Sequence, residues 1–359
     1  MKKMKDAVEK ENAPFSIFGG EPLLIPFHDL EEIFSWGYDK WGENSIQTNG
    51  TLIEDRHIVL FKKFNVHVGI SIDGPDELNE LRFIGNKEIT HRFTKKTEVA
   101  IRRLCDEGMP PQLIITLHRS NASKDRLPIL INWIKDLDKL GIRAARLHLL
   151  ESENQYIRDK YSLSPDENIH ALLNLMELQI ELKNIKFDIF DDMRNMLMGK
   201  DSSVTCIWKG CDPYTTKAVR GIEGNGQLSN CGRTNKDGID YIKSTTEGYE
   251  RYISLYHTPY EFGGCKDCRF FLMCKGNCPG TAIDGDWRNR TEHCEVWKTI
   301  FERLEKVLLM TGLTPISRNE KLKEKIEKEF LTCWSRGQNT SIAYEIKKIY
   351  QAKGEVRLG

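Results

Sequence analysis

The segment Val66-His-Val-Gly-Ile-Ser-Ile-Asp-Gly-Pro75 determines how the first half of this chain folds. Valine and isoleucine alternate with other residues over seven positions, which is typical of a β-strand. The Asp-Gly-Pro sequence that follows is typical of a turn and ends the strand. We therefore expect a strand here whose carboxyl end carries polar residues.

Similar strands alternate with helices on both sides of this segment. Four further strands are predicted at residues 14–18, 45–48, 112–117 and 145–150. Helical periodicity covers residues 28–41, 54–64, 94–107 and 127–140. Five strands that alternate with four helices predict parallel β/α units. Right-handed crossovers then give an α/β fold with an open or partial barrel, and functional residues collect at the carboxyl ends of its strands.

Three successive strands end in polar sequences. These are Gly19-Gly20-Glu21-Pro22, Gln47-Thr48-Asn49-Gly50 and Ser71-Ile72-Asp73-Gly74. Any one of them alone would be an ordinary turn, because glycine, asparagine and proline are common in turns. Parallel strands bring their carboxyl ends together at one end of the sheet. Three polar tips in succession therefore favour a ligand site there.

The second half of the chain changes character. Residues 166–200 predict one or two helices, which begin after a capping residue at Ser164. Between residues 206 and 294 regular periodicity fades, while glycine and cysteine become frequent. An amphipathic helix is expected over residues 297–310, and a charged, helical tail over residues 320–353.

The composition excludes several classes of protein. Charged residues make up 30% of the 359, but the formal net charge is zero, which argues against binding to nucleic acid or to an anionic membrane. The N-terminus lacks the apolar stretch of a signal peptide, and no apolar run reaches the roughly 18 residues that span a bilayer. Ten cysteines without a secretion signal indicate a reducing, cytoplasmic setting, where clustered cysteines are metal ligands more often than disulfides.

Eight of the ten cysteines form one constellation. They are Cys206, Cys211, Cys231, Cys265, Cys268, Cys274, Cys278 and Cys294. Zinc and iron–sulfur clusters both accept four sulfur ligands, but zinc sites usually show two separate cysteine pairs. Here a single Cys-x2-Cys pair is followed by irregular gaps, which favours iron–sulfur over zinc and leaves disulfides least favoured. Cys105 and Cys333 stand apart, and we expect both to be buried apolar residues.

The cysteine spacing resembles a known family. The pattern Cys-x14-Gly-x4-Cys, gap, Cys-x2-Cys-x5-Cys-x3-Cys-Pro, gap, Cys is similar to the SPASM domain. That domain is the C-terminal module of many radical S-adenosylmethionine (SAM) enzymes that modify peptides and proteins. The sequence Phe18-Gly-Gly-Glu-Pro-Leu-Leu24 resembles the GGEP motif of the same enzymes, and residues 46–52 and 69–75 resemble their next two strand tips. The resemblance covers roughly residues 14–300.

The resemblance implies roles for particular residues. The tips would bind SAM through Gly19, Gly20, Glu21, Pro22, Asn49, Ser71 and Asp73. One auxiliary [4Fe–4S] cluster would be held by Cys206, Cys211, Cys231 and Cys278. A second would be held by Cys265, Cys268, Cys274 and Cys294. Because Cys206 lies outside the seven-cysteine pattern, it is the weakest of these assignments. No catalytic residue can be named from the sequence.

One motif of the family is missing. Its members bind a third [4Fe–4S] cluster, the one that cleaves SAM, through a Cys-x3-Cys-x2-Cys loop, but no cysteine precedes Cys105 here. We therefore expect a partial (β/α)6 barrel without its first strand, followed by the iron–sulfur SPASM module. The expected domains are a barrel at 1–165, linking helices at 166–205, a SPASM domain at 206–300 and a helical tail at 301–359. A truncated enzyme is favoured over a scaffold that has lost the motif, because a scaffold has no need of the SAM-binding tips.

These expectations lead to a predicted function. The sequence favours a SPASM-type radical SAM maturase that abstracts hydrogen from a peptide or protein substrate and needs a reducing electron donor. Maturation of a ribosomal peptide is preferred to formylglycine formation on sulfatases, because members with the latter activity carry an acidic residue at the position of Gly232. The alternative from another class is a non-catalytic iron–sulfur scaffold for binding or electron transfer.

Overall fold

The chain folds into two compact units. The computed structural model describes residues 1–152, 154–216, 219–234 and 244–352. The first unit, Val8–Ile189, contains the main sheet and is called the sheet unit here. The second combines Met1–Ala7 with Phe190–Gly359 and is called the cysteine unit, because all the clustered cysteines belong to it.

Six parallel strands form the sheet, and they lie side by side in the order of the sequence. They are β1 (Ser16–Ile17), β2 (Asn44–Thr48), β3 (Val66–Ser71), β4 (Gln112–Leu117), β5 (Ala144–Leu149) and β6 (Lys186–Phe187). All five predicted strands are confirmed. The sixth, β6, lies in the segment that the sequence predicts as entirely helical, so the sheet has one strand more than expected.

Eight helices precede β6 in the described residues. They are α1 (Lys2–Glu11), α2 (Phe27–Trp41), α3 (Asp55–Lys63), α4 (Lys87–Asp106), α5 (Arg119–Ala122), α6 (Leu127–Lys139), α7 (Gln155–Tyr161) and α8 (Pro165–Glu181). The four predicted helices correspond to α2, α3, α4 and α6. Helix α4 begins earlier than predicted because Asn86 caps it, accepting a hydrogen bond from the Ile89 amide at 2.9 Å.

The two faces of the sheet differ in polarity. On one face, residues such as Val68, Ile70 and Ile115 are at most 5% exposed and form the core. The other face carries partly exposed residues, among them Gln47 and Ser71. This alternation follows from the two-residue period of a strand, and it leaves a polar face open beside the strand tips.

A buried carboxylate explains how the chain enters β6. Asp138, at the end of α6, accepts hydrogen bonds from three consecutive backbone amides, those of Lys183 at 3.0 Å, Asn184 at 2.7 Å and Ile185 at 2.8 Å. This contact ends the helical segment after α8 and turns the backbone into the sheet. The predicted start of α8 is confirmed, since Ser164 and Glu167 form a reciprocal capping box.

The cysteine unit combines short and long helices around an aromatic core. Its described helices are α9 (Asp188–Leu197), α10 (Cys206–Lys209), α11 (Glu250–His257), α12 (Phe271–Cys274), α13 (Cys294–Met310), α14 (Glu320–Trp334) and α15 (Ile342–Ala352). Gly221–Ile222 (β7) and Leu228–Ser229 (β8) form an antiparallel pair. Phe301 packs between Trp208 and Phe270, with ring centroids 5.4 and 5.1 Å apart. The helix predicted at 297–310 corresponds to α13, which begins earlier, at Cys294. The predicted charged tail forms two helices, α14 and α15.

Across the described residues, no helix is both long and apolar enough to cross a membrane.

Candidate cofactor sites

The first strand tip is held by Glu21. Its carboxylate accepts hydrogen bonds from the Thr48 hydroxyl at 2.6 Å, the Asn49 amide at 2.8 Å and the Leu23 amide at 3.1 Å. These contacts join the end of β1 to the end of β2. Gly19 and Gly20 just before it have φ angles of 93° and 54°, and nothing lies within 4 Å of where their side chains would start. The glycine backbone therefore presents an exposed loop in a conformation that suits glycine.

The second and third tips adjoin each other. Asn49 turns its side-chain oxygen towards its own loop and accepts from the Thr51 amide and hydroxyl at 2.9 and 2.6 Å. Ser71 accepts from the Gln47 side chain at 2.9 Å. Hydrogen bonds thus join Glu21 to Asn49, and Gln47 of β2 to Ser71. Pro22 is buried in a short 3₁₀ turn.

Asp73, just after the end of β3, is buried. Its carboxylate accepts from the Arg82 guanidinium at 2.8 Å and from the Thr116 amide at 2.7 Å, and only 3% of the residue is exposed. Burial would raise the pKa of Asp73, but His118, Arg82 and the Thr116 amide together hold it below its ordinary value. Asp73 therefore joins the ends of β3 and β4, and its contact with SAM stays a prediction.

The sequence analysis missed the residues that surround Asp73. His118 is fully buried, and its Nε2 lies 3.7 Å from the Asp73 carboxylate. Thr116 and His118 come at the end of β4, so the rule that identified three polar strand tips could have identified a fourth. Arg82 carries no comparable signal, because it lies in a loop after a 3₁₀ turn.

Four cysteines line a single cavity in the cysteine unit. They are Cys265, Cys268, Cys274 and Cys294, the set that the resemblance implies for the second cluster. The first two are joined by a tight turn in which the Cys268 amide donates to the Cys265 carbonyl at 3.1 Å. Cys274 ends α12 and Cys294 begins α13. Aromatic side chains complete the cavity, together with Arg290 and Lys298.

The environment of these thiols is unfavourable for free thiolates. Burial, with the neighbouring Cys268 and Cys294, raises the pKa of Cys265 to about 12, and burial raises the pKa of Cys274 well above its usual range. Burial and Cys268 also raise the pKa of Cys294, against the opposing effect of Arg290 and Lys298. Four thiolates in this cavity would therefore require a cationic centre to bind them.

The arrangement of the thiols fits an iron–sulfur cluster. In the described part of the chain, no three His, Cys, Asp or Glu side chains are placed to hold a single metal ion. Zinc requires its four ligands to meet at one point at about 2.0–2.3 Å, whereas a [4Fe–4S] cluster binds its cysteines at separate irons. Four thiols that surround a cavity match the second requirement.

Three of the other four cysteines, Cys211, Cys231 and Cys278, lie on segments that the structure brings close together. The Arg251 guanidinium donates to the carbonyls of Cys211 and Asn277, each at 3.4 Å. The Asn230 side chain, next to Cys231, donates to the Pro213 carbonyl at 2.8 Å. Residues 211–213, 230–231 and 277–278 are therefore neighbours. That Cys206, Cys211, Cys231 and Cys278 share one cluster stays a prediction.

Cys105 and Cys333 differ from the expectation of full burial. Each is half-buried on a helix, α4 and α14 respectively, and burial raises the pKa of Cys105 to about 11.

In the loop before Cys294, the Trp287 ring packs against Tyr214 at 5.3 Å and Asp286 pairs with Arg288. The loop is therefore a turn in which the Trp287 side chain packs against a neighbouring ring.

Known proteins share the sequence and the fold of this chain. The Radical SAM superfamily matches residues 1–127. A serine-type anaerobic sulfatase-maturating enzyme of Bacteroides thetaiotaomicron is 26% identical over 302 residues, which are 74% of this chain and 68% of that protein. A cysteine-type anaerobic sulfatase-maturating enzyme of Clostridium perfringens is 26% identical over 320 residues, 80% of each chain.

Solved structures agree at the level of the fold. Native anSMEcpe with bound AdoMet and Kp18Cys peptide superposes with a TM-score of 0.64 at 22% identity, covering 85% of this chain and 89% of that one. Streptococcus suis SuiB bound to S-adenosylmethionine gives a TM-score of 0.53 at 14% identity, covering 82% and 69%. Residues 1–127 therefore match the Radical SAM superfamily, and the chain is similar in sequence to anaerobic sulfatase-maturating enzymes and in fold to the solved structure of one of them.

Proposed function

We propose that this chain acts in the maturation of a peptide or protein side chain, by oxidation of a cysteine or serine to formylglycine. The observation that carries the proposal is the combination, in one chain, of SAM-type strand tips and a four-cysteine cavity with relatives named as sulfatase-maturating enzymes across most of its length. The comparisons favour this activity over ribosomal-peptide maturation, which the sequence had favoured.

The proposed SAM site uses the acceptor position of the Glu21 carboxylate that its protein hydrogen bonds leave open. An ionised carboxylate has about four lone-pair positions, and three are occupied by Leu23, Thr48 and Asn49. The remaining position on Oε2 would accept the ammonium group of SAM. The exposed backbone of Gly19 and Gly20 and the side chains of Asn49 and Ser71 would complete the site.

The cysteine cavity would hold one [4Fe–4S] cluster, and Cys206, Cys211, Cys231 and Cys278 a second. When bound, SAM and the clusters supply the one-electron chemistry by which a hydrogen atom leaves the substrate side chain. The residues of this chain orient the peptide and bury the clusters. The proton released in the oxidation needs an acceptor other than residue 232, because glycine has no side chain to take it.

A second candidate function is an iron–sulfur scaffold that binds a partner or transfers electrons. The observation in its favour is that residues 1–104 contain no cysteine to hold a SAM-cleaving cluster. Both candidates require iron in the cysteine unit. They differ in whether SAM is cleaved and a peptide oxidised.

The test begins with anaerobic reconstitution of the chain with iron and sulfide. The chain as given, and a version that includes the in-frame codons upstream of Met1, are incubated with SAM, a strong reductant and matched peptides that carry cysteine, serine or alanine at the target position. Mass spectrometry should find 5′-deoxyadenosine together with an aldehyde on the cysteine or serine peptide alone.

Three other outcomes would each be decisive. A cross-link or thioether in place of the aldehyde would overturn formylglycine formation and restore ribosomal-peptide maturation. Iron uptake without SAM cleavage in either version would overturn the maturase function and leave the scaffold as the candidate. Failure of both versions to bind iron would refute both candidates.

A further inference from the structure

The cysteine cavity is bordered by two buried hydrogen-bond donors that have no acceptor. Nε of Arg290 and Nε1 of Trp297 are both shielded from solvent, and neither has a hydrogen-bond partner in the described part of the chain. Both residues line the cavity with Cys265, Cys268, Cys274 and Cys294. Arg290 is 8% exposed and Trp297 is 6% exposed, so both side chains are largely removed from bulk water.

Two such groups at one place call for an explanation. Proteins leave few buried donors unsatisfied, because each loses its hydrogen bonds to water without replacement. Arg290 and Trp297 reach the cavity from different elements, a loop and α13, so one local distortion does not account for both. Other buried donors of this unit, such as Trp208 Nε1, also lack an acceptor, but among the described residues Arg290 and Trp297 are the two that line the cavity, where a cluster would supply sulfur acceptors.

The rest of the Arg290 side chain is firmly placed. Its Nη1 donates to the Tyr260 carbonyl at 2.7 Å and more weakly to that of Gly264 at 3.4 Å. Its guanidinium stacks on the Tyr260 ring, 3.6 Å from the centroid. No carboxylate forms an ion pair with it among the described residues, so its positive charge is held beside the thiols without a protein counter-charge.

Arg251, a second buried arginine of this unit, shows what a purely structural role looks like. Its Nε donates to the Trp287 carbonyl at 2.7 Å, its Nη1 to Cys211 and Asn277, and its Nη2 to the Asn289 carbonyl at 2.8 Å. Every nitrogen of that guanidinium is used to join loops. Arg290 differs because its Nε has no acceptor among the described residues, although the residue lines the cavity.

We propose that Arg290 and Trp297 set the reduction potential of the cluster held in this cavity, by donating N–H···S hydrogen bonds from Nε and Nε1 to its sulfur atoms. This inference rests on the cluster assigned under the proposed function. Hydrogen bonds to sulfur and a nearby positive charge both stabilise the reduced, more negative state of a cluster, so both residues raise its potential. A higher potential suits a cluster that accepts an electron from the substrate side of the reaction.

The test is a redox titration of the reconstituted full chain, followed by electron paramagnetic resonance. Trp297→Phe keeps an aromatic ring in the packing against Trp208 but removes the donor. We expect one cluster to shift to a more negative midpoint potential, with the iron content and the other cluster unchanged. Trp334→Phe is the matched control, because it removes an indole N–H from α14, which does not line the cavity. It should shift neither cluster.

Arg290 is tested with a charge series. Arg290→Gln should lower the potential of the same cluster further than Trp297→Phe or reduce its occupancy, whereas Arg290→Lys keeps the charge and should restore most of both. Arg288→Gln, which removes an exposed arginine paired with Asp286, should have no effect.

The outcomes separate this inference from the proposal on which it rests. Unchanged potentials in Trp297→Phe and Arg290→Gln at full iron content would overturn the inference and leave the cluster standing. Equal loss of the cluster in Arg290→Lys and Arg290→Gln would also overturn it, because Arg290 would then be structural. A wild-type chain with iron content unaffected by Cys268→Ala would refute the cluster itself.

Discussion

At the residue scale, burial separates two carboxylates that look alike in the sequence. Glu21 and Asp73 both follow a strand and both lie in a glycine-containing tip. Glu21 is half-buried and keeps a lone pair available, whereas the Asp73 carboxylate is enclosed by Arg82, Thr116 and His118. The Glu21 carboxylate therefore keeps an acceptor position for the proposed ligand, whereas the Asp73 carboxylate is used to join the ends of β3 and β4.

Replacement of Glu21 tests ligand binding. Glu21→Gln retains one carbonyl acceptor for the tip but removes the negative charge that would face the ammonium of SAM. We expect SAM affinity measured by isothermal titration calorimetry to fall about tenfold or more, since a hydrogen bond to a charged group contributes about 1.5–3 kcal/mol. Glu31→Gln, an exposed change on α2, is the control. Equal affinities for the wild type and both variants would remove Glu21 from the SAM site.

Replacement of Asp73 tests stability. Asp73→Asn leaves the Arg82 guanidinium without its anionic partner beside a buried site. The free energy of unfolding should fall by about 3–5 kcal/mol, the usual cost of breaking a buried charge pair. Urea denaturation measures the change, with the exposed Asp76→Asn as the control. A loss no larger than that of the control would show that the ion pair with Arg82 contributes little.

The pH dependence of this effect has a definite sign. The folded-state pKa of Asp73 lies below its ordinary value, because His118, Arg82 and the Thr116 amide outweigh the effect of burial. The ionised carboxylate therefore stabilises the fold above the unfolded-state pKa of about 3.9. This contribution is lost as the pH falls through the folded-state pKa. The stability difference between wild type and Asp73→Asn should thus be full at pH 7 and shrink below about pH 4; a difference that grows on acidification would contradict the assignment.

At the element scale, β6 shows how a tertiary contact defines secondary structure. Two residues, Lys186 and Phe187, carry too little pattern for a strand to be predicted between two helical segments. Asp138 on α6 positions the preceding backbone by accepting three amide hydrogen bonds. Helix α6 thereby places the last strand of the sheet.

This role of Asp138 can be tested directly. Asp138→Asn presents an NH2 group to amides that need an acceptor, so it should destabilise the sheet unit by about 1–3 kcal/mol. Hydrogen exchange should become faster at residues 183–187. Asp136→Asn, an exposed change on the same helix, is the matched control. Unchanged exchange in Asp138→Asn would show that β6 is held by its strand pairing alone.

The segment from Cys265 to Cys274, which ends in α12, supplies three of the four thiols of the cavity. Cys268→Ala removes one of the four thiols of the cavity, so we expect the iron content to fall by about one cluster. Thermal unfolding of the cysteine unit should occur at a lower temperature, because a bound metal centre contributes folding energy. Cys333→Ala, a half-buried cysteine outside the cavity, should retain full iron. Full iron in Cys268→Ala would exclude Cys268 as a ligand.

At the scale of the whole molecule, the two units obtain their stability differently. The sheet unit buries a continuous apolar core from strands and helices, including Leu30, Phe34 and Ile70, each with no measurable exposure. The cysteine unit has helices of at most eight residues in its described segments between Cys206 and Cys278, where seven of the eight clustered cysteines lie. Removal of iron should therefore affect only the second unit.

Metal removal tests this difference. Iron content of the reconstituted chain should be about eight per molecule if two [4Fe–4S] clusters are present. After anaerobic chelation, hydrogen exchange should increase at residues 206–231 and 265–294 and stay unchanged in the strands β2 to β5. Increased exchange throughout both units would contradict independent stabilisation, and one or two zinc ions in place of iron would refute the cluster assignment.

The sequence by itself determined the parallel α/β fold, five of the six strands and the main helices, because strands and helices of this length carry their own hydrophobic periodicity. It also revealed the three polar strand tips and the cysteine pattern, since both are local in the chain. Only the tertiary structure decided which polar residues are buried, as at Asp73 with His118, and where the backbone is recruited into the sheet, as at Asp138. The structure also brings Arg290 and Trp297 to the cavity of the four cysteines that the sequence resemblance had already grouped. These features arise from contacts between residues far apart in the chain, and the periodicity of a single segment does not encode such contacts.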